Sequence, residues 1–387
     1  MDVTKQGIIV LLKSAITAQA LPLPGGFDIQ AALPLARQHH MSTMIYDGAV
    51  RCGVPRGIPA MQKLFQSYCR ALQVSEGQMA EFYKICRAFD DAQIDYMPLK
   101  GCRMKLLYPK PELRLMGDVD ILIRMEQYAK IRPLAEALGY TEKSETDHEL
   151  IWTKPTLYLE LHKRVISSYN SDLYGYFGEG WGRAKVANGT QYALSKEDEF
   201  IYLFAHYVKH YRAGGIGCRH VVDLWVYQRE NPDMDYAYIE AELDKLGLLK
   251  FYKNTMAMIA LWFGDGKTSD LLEFMTEYIF NSGSWGETMN RIKGGALRDA
   301  RRLHTSARTA YIIRTLFPEV HVLRKKYKIL QKAPWMLPVV WIIRPFYKVL
   351  FERKSLESKK RDIKALGSKR LEKERYMLQY VGLGDEN

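Results

Sequence analysis

This sequence is poor in the features that staple secreted domains or carry metals through sulfur. Its 387 residues hold five cysteines. Cys52, Cys69, Cys86, Cys102 and Cys218 are odd in number and widely spaced, and no CxxC pair is present. That pattern argues against a disulfide framework and a cysteine zinc site, and fits reduced thiols in a cytoplasmic protein. A transmembrane run is lacking too. The best candidate, Trp335 to Phe351, is interrupted by Pro338, Arg344, Pro345 and Lys348. The N-terminal apolar run, Ile8 to Leu12, is short and soon followed by Lys13, so no signal peptide is expected. There is no internal repeat and no low-complexity tract. His206 and His210 have zinc-ligand spacing, but Tyr207 stands where HExxH needs glutamate. One of the two is expected in a helical core, the other in a cleft beside Lys209 and Arg212.

What is present is ample apolar material and an excess of positive charge. Hydrophobic residues make up 47% of the chain and aromatics 12%, enough for buried cores and too much for wholesale disorder. The length allows two or three domains. A formal charge of +12 favours an anionic partner: nucleotide, nucleic acid, acidic polymer or membrane surface. Much of the excess lies at the C-terminal end, where Glu352 to Arg375 holds ten Lys/Arg against five Asp/Glu.

Apolar periodicity divides the chain. Residues 1–90 read as helical, with breaks at Leu21–Gly26 and Gly53–Pro59. Residues 91–194 change character. A strand over Ile94–Gly101 is followed by a short helix over 102–108, then a strand within Arg114–Ile123. A helix over Met125–Leu138 stops at Gly139, and a hairpin spans Glu149–Thr153 and Thr156–His162. Helical patterns then fill 195–351, including Glu197–Tyr211 and Arg219–Arg229, ahead of a basic tail over 352–387. The expected fold is α+β, a small mixed sheet flanked by helical regions.

The chemistry concentrates in Gly117-Asp118-Val119-Asp120. Side chains alternate along a strand, so Asp118 and Asp120 share one face while Val119 and Ile121 point into a core. Paired carboxylates repel unless something positive lies between them. Glu160, in the run Leu159-Glu160-Leu161-His162, offers a third acid from a neighbouring strand. Three carboxylates suit Mg²⁺, which takes hard oxygen ligands and binds substrate phosphates. Each residue also has an ordinary reading. Paired aspartates are often exposed turn formers, Glu160 can pair with Lys163 or Arg164, Arg114 with Glu112, and Arg219 with Asp223 on one helix.

Taken in order, Lys100-Gly101, Tyr108, Arg114, Gly117-Asp118-Val119-Asp120 and Glu160-Leu161-His162 resemble a bacterial family of uncharacterised nucleotidyltransferases in the polymerase-β-like superfamily. Leu203 to His210, Gly214-Gly215-Ile216, Arg219 and Asp223-Leu224 resemble its helical half, and Phe317-Pro318 and Trp335 to Pro338 its tail. The resemblance implies an NTP donor and two Mg²⁺ ions, with Mn²⁺ as the alternative. Asp118 and Asp120 would bridge the ions, with Glu160 as third ligand or base. Lys100, Gly101, Arg114, Gly117, Lys209 and His210 would contact the nucleotide. Where the superfamily has Gly-Gly or Gly-Ser, Cys102 follows Gly101, so no triphosphate contact is assigned to Cys102. The acceptor stays open among a small molecule, a sugar, a peptide, a protein and an RNA end. Two other readings compete: a non-catalytic nucleotide- or RNA-binding module, and a peripheral membrane scaffold built on the C-terminal basic and aromatic region.

Overall fold

The computed structural model of the protein describes residues 1–155, 157–283, 296, 299–300, 303, 305–318, 320–323, 327–351, 359, 363 and 376–384. Most of the basic tail over 352–387 therefore lies outside the described residues. The chain forms two units, Met1–Lys209 with Ile216–Ser284, and His210–Gly215 with Trp285–Asn387.

The first unit begins with four helices, α1 (Val3–Thr17), α2 (Ile29–Gln38), α3 (Ser42–Arg51) and α4 (Pro59–Asp91). They break where the sequence places Pro and Gly. α4 starts with Pro59 at its first turn, where a missing N–H costs nothing. The strands follow: β1 (Tyr96–Pro98), β2 (Asp118–Ile123), β3 (Thr141–Glu145), β4 (Glu149–Lys154), β5 (Leu157–His162), β6 (Lys185–Asn188) and β7 (Gln191–Ala193). Helices α5 (Lys100–Leu107), α6 (Tyr128–Ala137) and α7 (Ser171–Phe177) lie between them. α8 (Lys196–Arg212), α9 (Cys218–Glu230), α10 (Tyr236–Lys245), α11 (Leu249–Phe263) and α12 (Asp270–Ser282) come after. α6 ends at Gly139, whose φ of +85° is open to glycine without a Cβ clash.

Seven strands make one mixed sheet in the order β3-β4-β5-β2-β1-β7-β6. β2 runs parallel to β5 and antiparallel to β1. Three strands have no counterpart in the sequence reading. β3 (Thr-Glu-Lys-Ser-Glu) and β6 (Lys-Val-Ala-Asn) are exposed edge strands with almost no apolar residues to alternate, and β7 is three residues long. Edge strands need only one neighbour, so backbone pairing sustains them without a buried face.

One sheet face is the core. Val119, Ile121 and Ile123 of β2 pack with Leu150, Trp152, Leu159 and Leu161, against Phe82, Ile85 and Phe89 of α4 and Ile131 of α6. The opposite face of β2 and β5 carries the acids. The approach to β2 is anchored from two sides. Gln78 of α4 donates to the Met116 carbonyl at 2.8 Å, and Arg219 of α9 donates to the Leu115 carbonyl at 2.9 Å.

In the second unit, helices Ala307–Leu316, Val320–Leu323, Ile329–Lys332 and Leu337–Phe351 surround a small cluster of Leu323, Leu330 and Val340. Trp341 and Leu337 pack against that cluster, as expected of ordinary helical packing, while Trp335, Ile342 and Ile343 are exposed. No helix among the described residues is long and apolar enough to cross a membrane.

A buried two-point ion pair anchors the first unit. Arg114 Nε and Nη2 donate to Asp223 Oδ1 and Oδ2 at 2.8 and 3.0 Å, and Tyr108 Oη adds a bond to Oδ1 at 2.7 Å. Both charged residues are buried. Removing one partner strands the other charge, so Asp223→Ala should cost about 3–5 kcal/mol. Urea unfolding checks this, and a loss below about 1 kcal/mol would show that the pair does not hold the unit together.

Candidate functional site

The carboxylates meet because of register. β2 lies on β5 with Asp118 opposite Tyr158, Asp120 opposite Glu160 and Leu122 opposite His162. Asp118, Asp120, Glu160 and His162 therefore share one sheet face. Asp120 and His162 are buried, and Asp118 and Glu160 half-buried. His162 Nε2 is 2.8 Å from Asp120 Oδ1 and 3.7 Å from Glu160 Oε2. Donor atoms of Asp120, Glu160 and His162 all lie within 4.8 Å of one another.

Positive charge at this cluster is scarce. Lys100 Nζ stands 3.4 Å from Asp120 Oδ1, and among the described residues no other lysine or arginine forms an ion pair with Asp118, Asp120 or Glu160. Three carboxylates face the Lys100 ammonium, while the charge of Arg219 also reaches Asp118 and that of Lys209 reaches Asp120 and Glu160. The Asp118 carboxylate has no hydrogen-bond partner among the described residues. Burial, then the charges of Asp120 and Glu160, push its pKa up to about 7. Asp120 is the reverse case. Burial works against its charge, but Lys100 and the His162 hydrogen bond outweigh that and hold it well below the usual carboxylate range. His162 is disfavoured as a cation by burial and by Lys100, yet its bonds to Asp120 and Glu160 raise its pKa. This arrangement fits divalent cations: clustered oxygen donors and an acid, Asp118, with no ion-pair or hydrogen-bond partner among the described residues.

Lys100 reaches the site at a backbone cost. It begins α5 with φ of +37°, a conformation that side chains other than glycine rarely adopt. Such strain persists only where surroundings enforce it. Burial disfavours the Lys100 ammonium, but Asp120, Tyr202, Asp118 and Glu160 raise its pKa. Gly101 follows in close packing, since a Cβ there would stand 2.8 Å from Met116 Sδ. Its carbonyl accepts from Arg114 Nη1 at 3.3 Å. Lys209, on α8, is half-buried; burial and then the charge of Lys100 lower its pKa to about 8, against the pull of Glu149, Asp120 and Glu160.

Several ordinary pairings are settled by these contacts. Glu112 accepts from Tyr68 Oη at 2.6 Å, so Arg114 pairs with Asp223 instead. Arg219 makes no ion pair with Asp223 and donates to Leu115. Lys163 pairs with Glu145 and Arg164 with Asp147, leaving Glu160 to the cluster. Arg114 is thus engaged away from the carboxylates, and Gly117 precedes β2 with open space around it. His206 stacks with His220 at 6.3 Å between ring centroids. His210 belongs to the second unit. The residue that the sequence reading left without a role is His162. Its signal was present: it lies two positions after Glu160 and so on the same strand face.

A mixed sheet that brings strand-borne acids together beside a lysine from a strand-to-helix turn is compatible with metal-dependent phosphoryl or nucleotidyl transfer. Residues 25–264, more than half of the chain, match the model of the uncharacterised nucleotidyltransferase family, and the chain belongs to that family. It is a transferase of phosphorus-containing groups, which implies an NTP donor and some acceptor. The match contains β1 to β7 and all four cluster residues, and ends before Phe317-Pro318 and Trp335 to Pro338. No curated protein and no solved structure matches.

The raised Asp118 pKa has a consequence for the metal-free protein. The unfolded chain releases this proton near pH 4, the folded one near 7. Between those values the folded state binds more protons, so stability falls as pH rises. Asp118→Asn should therefore melt higher than wild type at pH 8 in chelator, by on the order of 2–4 °C, and show no such gain at pH 4. Equal melting temperatures at pH 8 would contradict a strained Asp118.

Proposed function

We propose that the protein moves a nucleoside monophosphate from an NTP to a hydroxyl-type acceptor, releasing pyrophosphate, at the carboxylates of β2 and β5. The observation that carries this reading is Asp120 paired in register with Glu160, with Asp118, which has no ion-pair partner among the described residues, two residues away on the same face. Asp118 and Asp120 would hold two Mg²⁺ ions, or Mn²⁺ in their place, with Glu160 as a further ligand of one. When bound, such ions stabilise the attacking and leaving oxygens and lower the pKa of the acceptor hydroxyl.

The chain's own groups divide the remaining tasks. Lys100 offsets the charge of Asp120 and would turn toward the triphosphate, whose entry brings further negative charge. Gly117 would let backbone approach the phosphates, having no Cβ to hold them off, while Gly101 packs against Met116 and would act by placing Lys100. Arg114, gripped by Asp223, would act by fixing the Gly101 carbonyl. Lys209 would add a cation at the edge of the site. Glu160, weakly tied by one contact at 3.7 Å, is free to take the acceptor proton. The buried His162 would steer Asp120 through its hydrogen bond.

Melting the protein with each of ATP, CTP, GTP and UTP, with and without Mg²⁺, tests the site without an acceptor. One NTP should stabilise wild type only with Mg²⁺, by about 2.7 kcal/mol at a hundredfold excess over Kd. The Asp118→Ala/Asp120→Ala protein should show no shift. Glu160→Gln should keep the shift but slow pyrophosphate release by about 10²–10⁴-fold. Full turnover in Asp118→Ala or Asp120→Asn would sink the mechanism.

A further inference from the structure

A second group of donors stands beside the carboxylates and shares His162 with them. β4 begins at Glu149, so strand alternation does not separate that residue from His148, which lies in the preceding bend. Thr146 sets the bend, its Oγ1 accepting from the His148 and Glu149 backbone N–H groups at 3.4 and 3.2 Å. His148 Nε2 is 3.1 Å from Glu149 Oε2. Register then puts His162 directly opposite Glu149, and the two imidazoles meet edge-on with centroids 5.8 Å apart. One donor atom from each of His148, Glu149 and His162 lies within 4.8 Å of the other two.

His162 supplies an independent sign of a ligand. It is 1% exposed, and its Nε2 is engaged by Asp120. Its Nδ1 is buried with no hydrogen-bond partner among the described residues. A buried polar atom left unsatisfied is costly, and native proteins rarely keep one without a reason.

We propose that His148, Glu149 and His162 form a second divalent-cation site, one that takes Zn²⁺ in preference to Mg²⁺. Two imidazoles and a carboxylate are a donor set that Zn²⁺ favours, with a fourth position left for water, whereas Mg²⁺ demands oxygen. A cation on Nδ1 keeps the ring proton on Nε2, where it is donated to Asp120. Metal-bound histidines are commonly oriented by a carboxylate in this way. Lys100 and Lys209 lie within electrostatic reach of Glu149 and oppose a cation there, while Glu149 itself, Asp120 and Glu160 favour one. The site shares His162 with the carboxylate cluster, and its test needs neither NTP nor acceptor.

The experiment uses the full chain, stripped with chelator and titrated with Zn²⁺ in excess Mg²⁺ against a chromophoric competitor. A parallel titration with Co²⁺ follows the visible absorption. One Zn²⁺ equivalent should bind, and Co²⁺ should give the intense spectrum of a four-coordinate, histidine-ligated ion. His148→Ala and Glu149→Gln should each weaken Zn²⁺ at least about tenfold, since even outer-shell partners cost that much. Asp118→Asn should bind Zn²⁺ as wild type does. The proposal is overturned if wild type takes up no Zn²⁺ under excess Mg²⁺, if Co²⁺ gives only a weak six-coordinate oxygen spectrum, or if Asp118→Asn abolishes binding while His148→Ala retains it. The Co²⁺ spectrum of wild type decides the matter even if a variant fails to fold.

Discussion

Everything at this site follows from holding like charges together on one sheet face. The parallel pairing of β2 with β5 sets Asp120 against Glu160, and the strand repeat adds Asp118 beside them. Folding pays for this arrangement through the opposite face, where Val119, Ile121, Leu159 and Leu161 are buried among the side chains of α4 and α6. At about 25 cal/mol per Å² of apolar surface, burying each such side chain contributes about 1.5–3 kcal/mol, enough to offset local repulsion. The sheet acts as a two-sided device: one face supplies stability, and the other presents charge that a cation or a proton on Asp118 relieves.

Two buried polar systems position that charged face without belonging to it. The Arg114–Asp223–Tyr108 cluster ties the segment before β2 to α9, and through the Gly101 carbonyl it reaches the turn that carries Lys100. His162 links the acids to the end of β4. Such pairs are weak sources of net stability, because desolvation consumes most of their attraction. Their value here is geometric, since a bidentate guanidinium admits one orientation and so fixes where α5 starts. The left-handed backbone at Lys100 is consistent with that constraint, because strain of this kind survives only where the surroundings enforce it.

The sequence was legible where periodicity and chemistry are local. The helical breaks at Leu21–Gly26 and Gly53–Pro59, the two-aspartate strand and the β4–β5 hairpin were all readable, because Pro, Gly and alternating apolar residues act over a few positions. β3 and β6 were not, because their residues are mostly polar and their strand character comes from a neighbour's backbone, and β7 was not, because three residues are too few to show alternation. Arg114 illustrates the same limit in side chains. Glu112 is its nearest acid in sequence, yet its partner is Asp223, 109 positions away.

By itself the sequence determined that Asp118 and Asp120 share a face, that a third acid lies in another apolar strand, and that helices flank a small sheet. Alternation of side chains is a property of any extended chain, so no fold is needed to read it. Tertiary structure alone decided that β5 lies parallel to β2 in the register that pairs Asp120 with Glu160, and that His162 stands between those acids and the His148–Glu149 pair. A slip of β5 by one residue would have turned Glu160 and His162 into the core. Register is fixed by which apolar side chains fill the opposite face, and that is a contest among residues far apart in the chain.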